Sequence, residues 1–162
     1  MRCGVVEREP DGECILVIGY GNPLRGDDGI GPRVAEAIAT VNYPAVRVWS
    51  VVQLVPELAA DLAEAGVVIF VDARMDSGHR AVELEPLADE GIGDWGAHNA
   101  DPRVLLALTR AIYGRAPEAW WLTVPGREFD LGEGLSVAAE EGVRQGIAEG
   151  HLAHDQRLHR LQ

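Results

Sequence analysis

The stretch CILVIGYGNPLRGDDGIG, residues 14–31, decides the fold that the sequence predicts. Residues 14–20 are mostly β-branched or apolar, which is typical of a strand that is covered on both faces. A glycine-rich loop follows, and apolar residues then recur at the helical spacing of Val34, Ile38 and Val41. A buried strand, a loop and an amphipathic helix in this order predict the first β–α unit of an α/β protein.

The rest of the chain repeats this alternation of strands and helices. Further strands are predicted at residues 46–52, 67–71, 81–84 and 119–124, and further helices at residues 56–65, at 102–113 behind an Asp101 cap, and after Ser136. The strand at 81–84 mixes apolar and polar residues, so we expect it at an exposed edge. The whole pattern predicts a three-layer α/β/α sandwich around a mostly parallel, twisted sheet of about five strands.

Length and charge narrow the class of protein. A chain of 162 residues with 47% hydrophobic and 25% charged residues fits one globular domain, residues 1–162, in which residues 1–12 are expected to be a flexible extension. The sequence has 14 Lys and Arg against 26 Asp and Glu, and the net charge of −12 argues against binding to nucleic acid or to an anionic membrane. We expect a cytoplasmic protein, because the sequence shows only two cysteines, no secretory signal pattern and no apolar run of membrane-spanning length.

Candidate site residues follow the predicted strands, where ligands bind in open α/β sheets. Asp27 and Asp28 lie in the loop after the first strand, Asp72 follows the strand at 67–71, and His98 lies in a later loop. The first loop lacks the third glycine of G-x-G-x-x-G, and its two acids would repel a pyrophosphate, so we expect no nucleotide cofactor. No serine or cysteine lies in a recognisable hydrolase nucleophile motif.

Two carboxylates and one imidazole remain, those of Asp28, Asp72 and His98. Such a set suits a borderline divalent ion such as Ni²⁺ or Zn²⁺, with positions left open for substrate or water. Each residue also has a plainer explanation, because an aspartate can cap a helix or a loop and a histidine can bond to the backbone. Asp27 is a better candidate than Asp28 for such a structural cap, and we expect Asn22 to shape the loop.

A long motif in the sequence matches a known family. Residues 19–31 resemble, position for position, the signature G-x-G-N-x-L-x-x-D-D/E-G-x-G of the nickel–iron hydrogenase maturation endopeptidases. The resemblance continues through Val-Asp-Ala at 71–73, the His98 loop and residues 125–136, and it covers about residues 15–146. Residues 53–58, QLVPEL, look most like the branch that serves bidirectional, NAD(P)-linked hydrogenases.

The resemblance implies a protease of narrow scope, which removes the C-terminal extension of a hydrogenase large-subunit precursor after nickel has been inserted. The precursor carries the nickel, which serves as a transient recognition element. The family's catalytic and metal-binding residues fall here on Asp28, Asp72 and His98, with Asp28 standing where some relatives carry Glu. We assign Asn22, Asp27 and Gln53 to substrate binding, and we expect the protein to act as a monomer.

Two other functions stay open at this point. One is a nickel-dependent checkpoint module that binds the large subunit without cutting it. The other is a resident-metal, aminopeptidase-like hydrolase, for which the sequence offers few further ligands around the three named residues. The hydrolytic step also stays open among a metal-polarised carbonyl, a metal-bound water and a water activated by a carboxylate.

Overall fold

Five strands and four α-helices alternate along the part of the chain that the computed structural model describes, which is residues 14–78, 81–88 and 101–160 without the side chains of 152–160. The strands are β1 Ile15–Tyr20, β2 Val46–Val51, β3 Val67–Met75, β4 Glu83–Leu87 and β5 Glu118–Gly126. The helices are α1 Ile30–Val41, α2 Ala59–Glu64, α3 Pro102–Tyr113 and α4 Val137–Arg160. Short 3₁₀ helices precede α1 and α2, at Gly26–Gly29 and Pro56–Leu58.

The strands form one sheet in the order β2-β1-β3-β5-β4. In this order β2, β1, β3 and β5 run parallel to one another, and β4, the last strand, pairs antiparallel with β5. Parallel strands end on the same side of the sheet, so the carboxyl ends of β1, β2, β3 and β5 lie along one border, which we call the carboxyl edge. The predicted five-stranded, mostly parallel sheet is confirmed.

Helices cover both faces of this sheet, which confirms the three layers. Helices α1 and α4 pack on one face, where Ile30 and Val34 meet Val17 and Val71 of the strands. Helices α2 and α3 pack on the other face, where Leu62 and Leu105 meet core residues of β1 and β3. Strands buried on both faces explain why β1 and β3 read as continuous apolar runs in the sequence.

Three predicted boundaries are wrong. Strand β4 lies at Glu83–Leu87 rather than at 81–84, because a proline at position 86 is tolerated on an edge strand, where a missing N–H costs little. Strands β3 and β5 continue beyond their predicted ends and pair with each other as far as Met75 and Gly126. The position of Asp72 changes as a result, from the loop after β3 to the strand itself.

The predicted caps of α3 and α4 are confirmed, whereas α1 begins behind Gly29 with no side-chain cap, so the predicted cap by Asp27 is wrong. The Asp101 side chain accepts a hydrogen bond of 2.9 Å from the backbone N–H of Arg103, and Gly114 closes α3 in the left-handed conformation. The Ser136 hydroxyl oxygen accepts a 3.2 Å hydrogen bond from the N–H of Ala139 in the first turn of α4.

Two parts of the prediction lie outside the described residues, the extension at 1–12 and the loop that carries His98. Within the described part of the chain, no helix has both the length and the apolar character needed to cross a membrane.

Candidate active site

The loop between β1 and α1 brings the first turn of α1 close to the ends of two strands. A Cβ atom built on Gly31 would lie 2.3 Å from the carbonyl oxygen of Tyr20 and 2.6 Å from that of Val71. A Cβ on Gly19 would lie 2.1 Å from the carbonyl oxygen of Gly31. These glycines let the helix start directly over the carboxyl ends of β1 and β3, which places the preceding loop at the edge where the site was predicted.

Asp28 lies in the 3₁₀ turn before α1, and the same loop fixes its side chain. Its Oδ2 atom accepts a 2.8 Å hydrogen bond from the backbone N–H of Asn22. Gly21 makes this turn possible, because its φ is +142° and a Cβ there would lie 1.9 Å from the carbonyl oxygen of Asp28. The loop therefore holds the half-buried Asp28 carboxylate at the carboxyl edge of the sheet.

Asp72 lies on the central strand, just beyond the point where β1 ends its pairing. The last β1–β3 pair is Gly19 with Val71, so Tyr20 is the neighbour of Asp72 on one side, and Thr123 of β5 is its partner on the other. The pKa of the Asp72 carboxyl is raised to about 7, mainly by burial and to a smaller extent by the nearby Asp28 charge, while the Tyr20 hydroxyl and the Ala73 backbone N–H oppose the rise. The structure thus brings two of the three predicted site residues into electrostatic contact.

Asp27 has a different environment from its neighbour. Its side chain is 0% exposed, and its carboxylate accepts four hydrogen bonds of 2.8–3.0 Å from the loop between β5 and α4. The donors are the backbone N–H groups of Arg127, Glu128 and Ser136 and the Ser136 hydroxyl. Burial alone would raise the pKa of Asp27, but these hydrogen bonds outweigh it and the pKa is lowered.

The predicted substrate contact by Asp27 does not fit this geometry. A buried carboxylate with four donors has no oxygen to offer a substrate unless the loop is released. Instead, Asp27 ties the β5–α4 loop to the turn that carries Asp28, and its backbone N–H adds a 2.7 Å bond to the carbonyl of Glu128. Asp27 is a structural tie at the rim of the site.

The other predicted residues are placed as follows. The Asn22 side-chain oxygen accepts a 3.0 Å hydrogen bond from the N–H of Leu24, so this residue shapes the loop as well as holding Asp28. Gln53 is exposed in the loop after β2, at the same edge of the sheet, and its substrate contact stays a prediction. Among the residues that the structure describes, no three His, Cys, Asp or Glu side chains are grouped to hold a metal ion.

One residue beside the site was not singled out from the sequence. The Tyr20 ring is buried in the core, and its hydroxyl interacts with Asp72. The available signal was its place at the end of β1, next to a strand that carries a candidate acid, but only the register shows that the two side chains are neighbours.

Comparison with proteins of known description gives one sequence relative over most of the chain. A predicted hydrogenase maturation protease of Methanocaldococcus jannaschii is 26% identical over 146 residues, which cover 82% of this chain and 91% of the relative. No family model matches the chain.

Solved structures with a similar fold include proteins of the same description as this relative. The hydrogenase 2 maturation peptidase of a Thaumarchaeota archaeon superposes with a TM-score of 0.69 at 25% identity, covering 88% of this chain and 99% of that one. The Escherichia coli endopeptidase HybD gives a TM-score of 0.66 at 23% identity, covering 89% of this chain and 93% of that one, a likeness of fold. In sequence and fold, the chain is thus similar to hydrogenase maturation peptidases, and the HybD structure adds a likeness of fold.

Proposed function

We propose that this protein removes the C-terminal extension of a nickel–iron hydrogenase large-subunit precursor after nickel insertion, with the precursor's nickel as the recognition element. Asp28 and Asp72, together with His98, are the residues assigned to that nickel. In this proposal the metal belongs to the substrate and leaves with it.

The observation that carries the proposal is the pair of carboxylates at the carboxyl edge of the sheet. Asp28 and Asp72 are close enough that the charge of one opposes ionisation of the other. A cation between two such carboxylates offsets their repulsion, so the pair favours a ligand that brings positive charge. A precursor with bound nickel brings this charge, and an empty precursor does not, so the difference in affinity supplies the specificity.

The proposed hydrolytic step uses Asp72 as the general base. Burial raises the pKa of this carboxyl to about 7 in the free protein, which makes it a stronger base than an exposed carboxylate, and the cation of a bound precursor would keep it in the charged form that accepts a proton. Asp72 accepts a proton from the attacking water while the oxygen of that water bonds to the scissile carbonyl carbon. The proton then passes to the amide nitrogen as the C–N bond breaks, which leaves a carboxyl terminus on the mature subunit and an amine on the released peptide.

The remaining parts of the proposal concern where and with what the protein works. Its partner is the folded large-subunit precursor, its place is the cytoplasm, and it acts as a single copy.

Intact-mass measurements test the proposal directly. Purified large-subunit precursor, either nickel-loaded or nickel-free, is incubated with the protein, and the masses of both chains are followed over time. Loss of the C-terminal extension from the loaded form alone supports the proposal. Binding without any change of mass would favour the checkpoint module, and cleavage of unrelated peptides would favour a general hydrolase; either result would contradict the proposal.

A further inference from the structure

The Tyr20 hydroxyl is a buried polar group that lacks a standard hydrogen bond. The residue is only 4% exposed, and its hydroxyl oxygen has no partner of normal distance and angle. Buried hydroxyl groups nearly always have such a partner, so an unpaired one calls for an explanation. The family signature leaves position 20 unspecified, so the motif itself does not demand a tyrosine there.

The strand register directs this hydroxyl towards the site. Gly19 pairs with Val71, so Tyr20 and Asp72 are adjacent on neighbouring parallel strands. Side chains two apart on a strand share a face, which puts Asp72 on the same face as Phe70, and Tyr20 packs in the core cluster of that face. The two side chains interact electrostatically.

The core holds the ring of Tyr20 in place next to the half-buried Asp72. Tyr20 belongs to the core cluster with Leu54, Leu58 and Phe70, which fixes where its hydroxyl lies. Asp72 is half-buried at the open edge of the sheet. A hydroxyl held next to this carboxyl group is placed to donate an O–H···O bond to it.

We propose that Tyr20 is a positioning residue, whose hydroxyl donates a hydrogen bond to one oxygen of Asp72 and directs the other oxygen towards the substrate. The functional part of this inference rests on the proposed function, and the contact itself does not. The other groups that act on Asp72 are the Ala73 N–H, which favours the carboxylate, and Asp28, which opposes it. On Tyr20 itself, the Trp121 side chain of β5 acts by hydrogen bonding and favours the charged form, and the charge of Asp101, at the start of α3, opposes that form.

The contact can be tested without any precursor. In Tyr20→Phe, which removes only the hydroxyl, the carboxyl ¹³C resonance of Asp72 should titrate at a pH higher by about half a unit or more, because a donor to the charged form is lost. The resonance is identified by its disappearance in Asp72→Asn. Tyr113→Phe, at the half-exposed far end of α3, is the matched control and should leave the titration unchanged. An unchanged titration in Tyr20→Phe would overturn the inference.

The functional consequence is measured on nickel-loaded precursor. Tyr20→Phe should lower the maximal cleavage rate by about ten- to a hundred-fold, because a group that orients a reacting carboxylate is lost. The precursor concentration at half-maximal rate should change by less than about threefold, and the thermal midpoint should equal that of Tyr113→Phe. Cleavage at the wild-type rate, or a rate loss that merely follows a lower thermal midpoint, would overturn the positioning role. Failure of the wild-type protein to cleave would contradict the proposed function, while the Asp72 titration would still decide the contact.

Discussion

Asp27 and Asp28 are neighbours in the chain, but their carboxylates have different environments and different roles. Asp27 is fully buried with four donors around it, whereas Asp28 is half-buried and interacts with Asp72. The sequence favours a structural role for Asp27 only as a helix cap. It cannot show the true partners, because Arg127, Glu128 and Ser136 lie 100 or more positions away.

Replacing Asp27 by Asn should destabilise the protein. The amide keeps one acceptor oxygen but turns an NH₂ group towards buried donors, so we expect the free energy of unfolding to fall by roughly 3 kcal/mol. Urea unfolding at pH 7 measures this change. Asp130→Asn, an exposed carboxylate in the same loop, is the control and should cost less than about 0.5 kcal/mol. Equal stability of the two variants would contradict the structural tie.

The stabilisation by Asp27 should also depend on pH in a defined direction. Its pKa is lowered in the folded protein, from about 3.9 in an unfolded chain, so its contribution is complete above that value and is lost as the pH falls through the folded pKa. The stability difference between wild type and Asp27→Asn should therefore be constant from pH 7 to about pH 5 and shrink below about pH 4. A difference that grows towards low pH would show that the sign is wrong.

At the scale of elements, the contact between α1 and the strand ends positions the whole site. In Gly31→Ala, the new Cβ would lie 2.3 Å from the Tyr20 carbonyl oxygen and 2.6 Å from that of Val71, so the helix must move off the sheet. We expect a loss of about 3 kcal/mol or more in unfolding free energy, measured by urea denaturation.

Gly150→Ala provides the matched control in another helix. There the one close atom is the end of the flexible Ile38 side chain, at 3.3 Å, so the better helix propensity of alanine should leave stability unchanged or raise it by up to about 1 kcal/mol. Equal stability of Gly31→Ala and Gly150→Ala would contradict the claim that Gly31 is needed for close packing of α1 on the strand ends.

The elements were largely predictable because each has a local cause. The apolar run of β1, the Asp101 cap and Gly114 at the end of α3 are read from neighbouring residues. The position of β4 was not, because Pro86 looks like a strand breaker until the strand is known to lie at an edge. The full lengths of β3 and β5 were missed because their last residues are strand residues only through pairing with each other, and no local sequence signal marks that pairing.

For the whole molecule, the net charge of −12 predicts that copies repel one another. We therefore expect a monomer of 17.5 kDa in light scattering at low ionic strength. A mass of twice this value, independent of protein concentration, would contradict the prediction and would require an interface that overcomes the repulsion.

The candidate site was predictable in its residue types and only partly in its arrangement. The long signature predicts Asp28 and the end of an apolar strand predicts Asp72, since both are local features of the sequence, and their roles stay predictions. The burial that raises the pKa of Asp72 and the neighbouring Tyr20 hydroxyl depend on which strands pair and in what register. Such information is a property of the folded chain as a whole.

The most direct test of the central claim is the intact mass of nickel-loaded precursor after incubation with carboxamide variants. Asp28→Asn and Asp72→Asn keep the shape of each side chain but remove its charge, and each should slow loss of the C-terminal extension by about a hundred-fold or more. Asp130→Asn should process the precursor at the wild-type rate. Wild-type processing by either site variant would contradict the claim that this carboxylate pair performs the reaction.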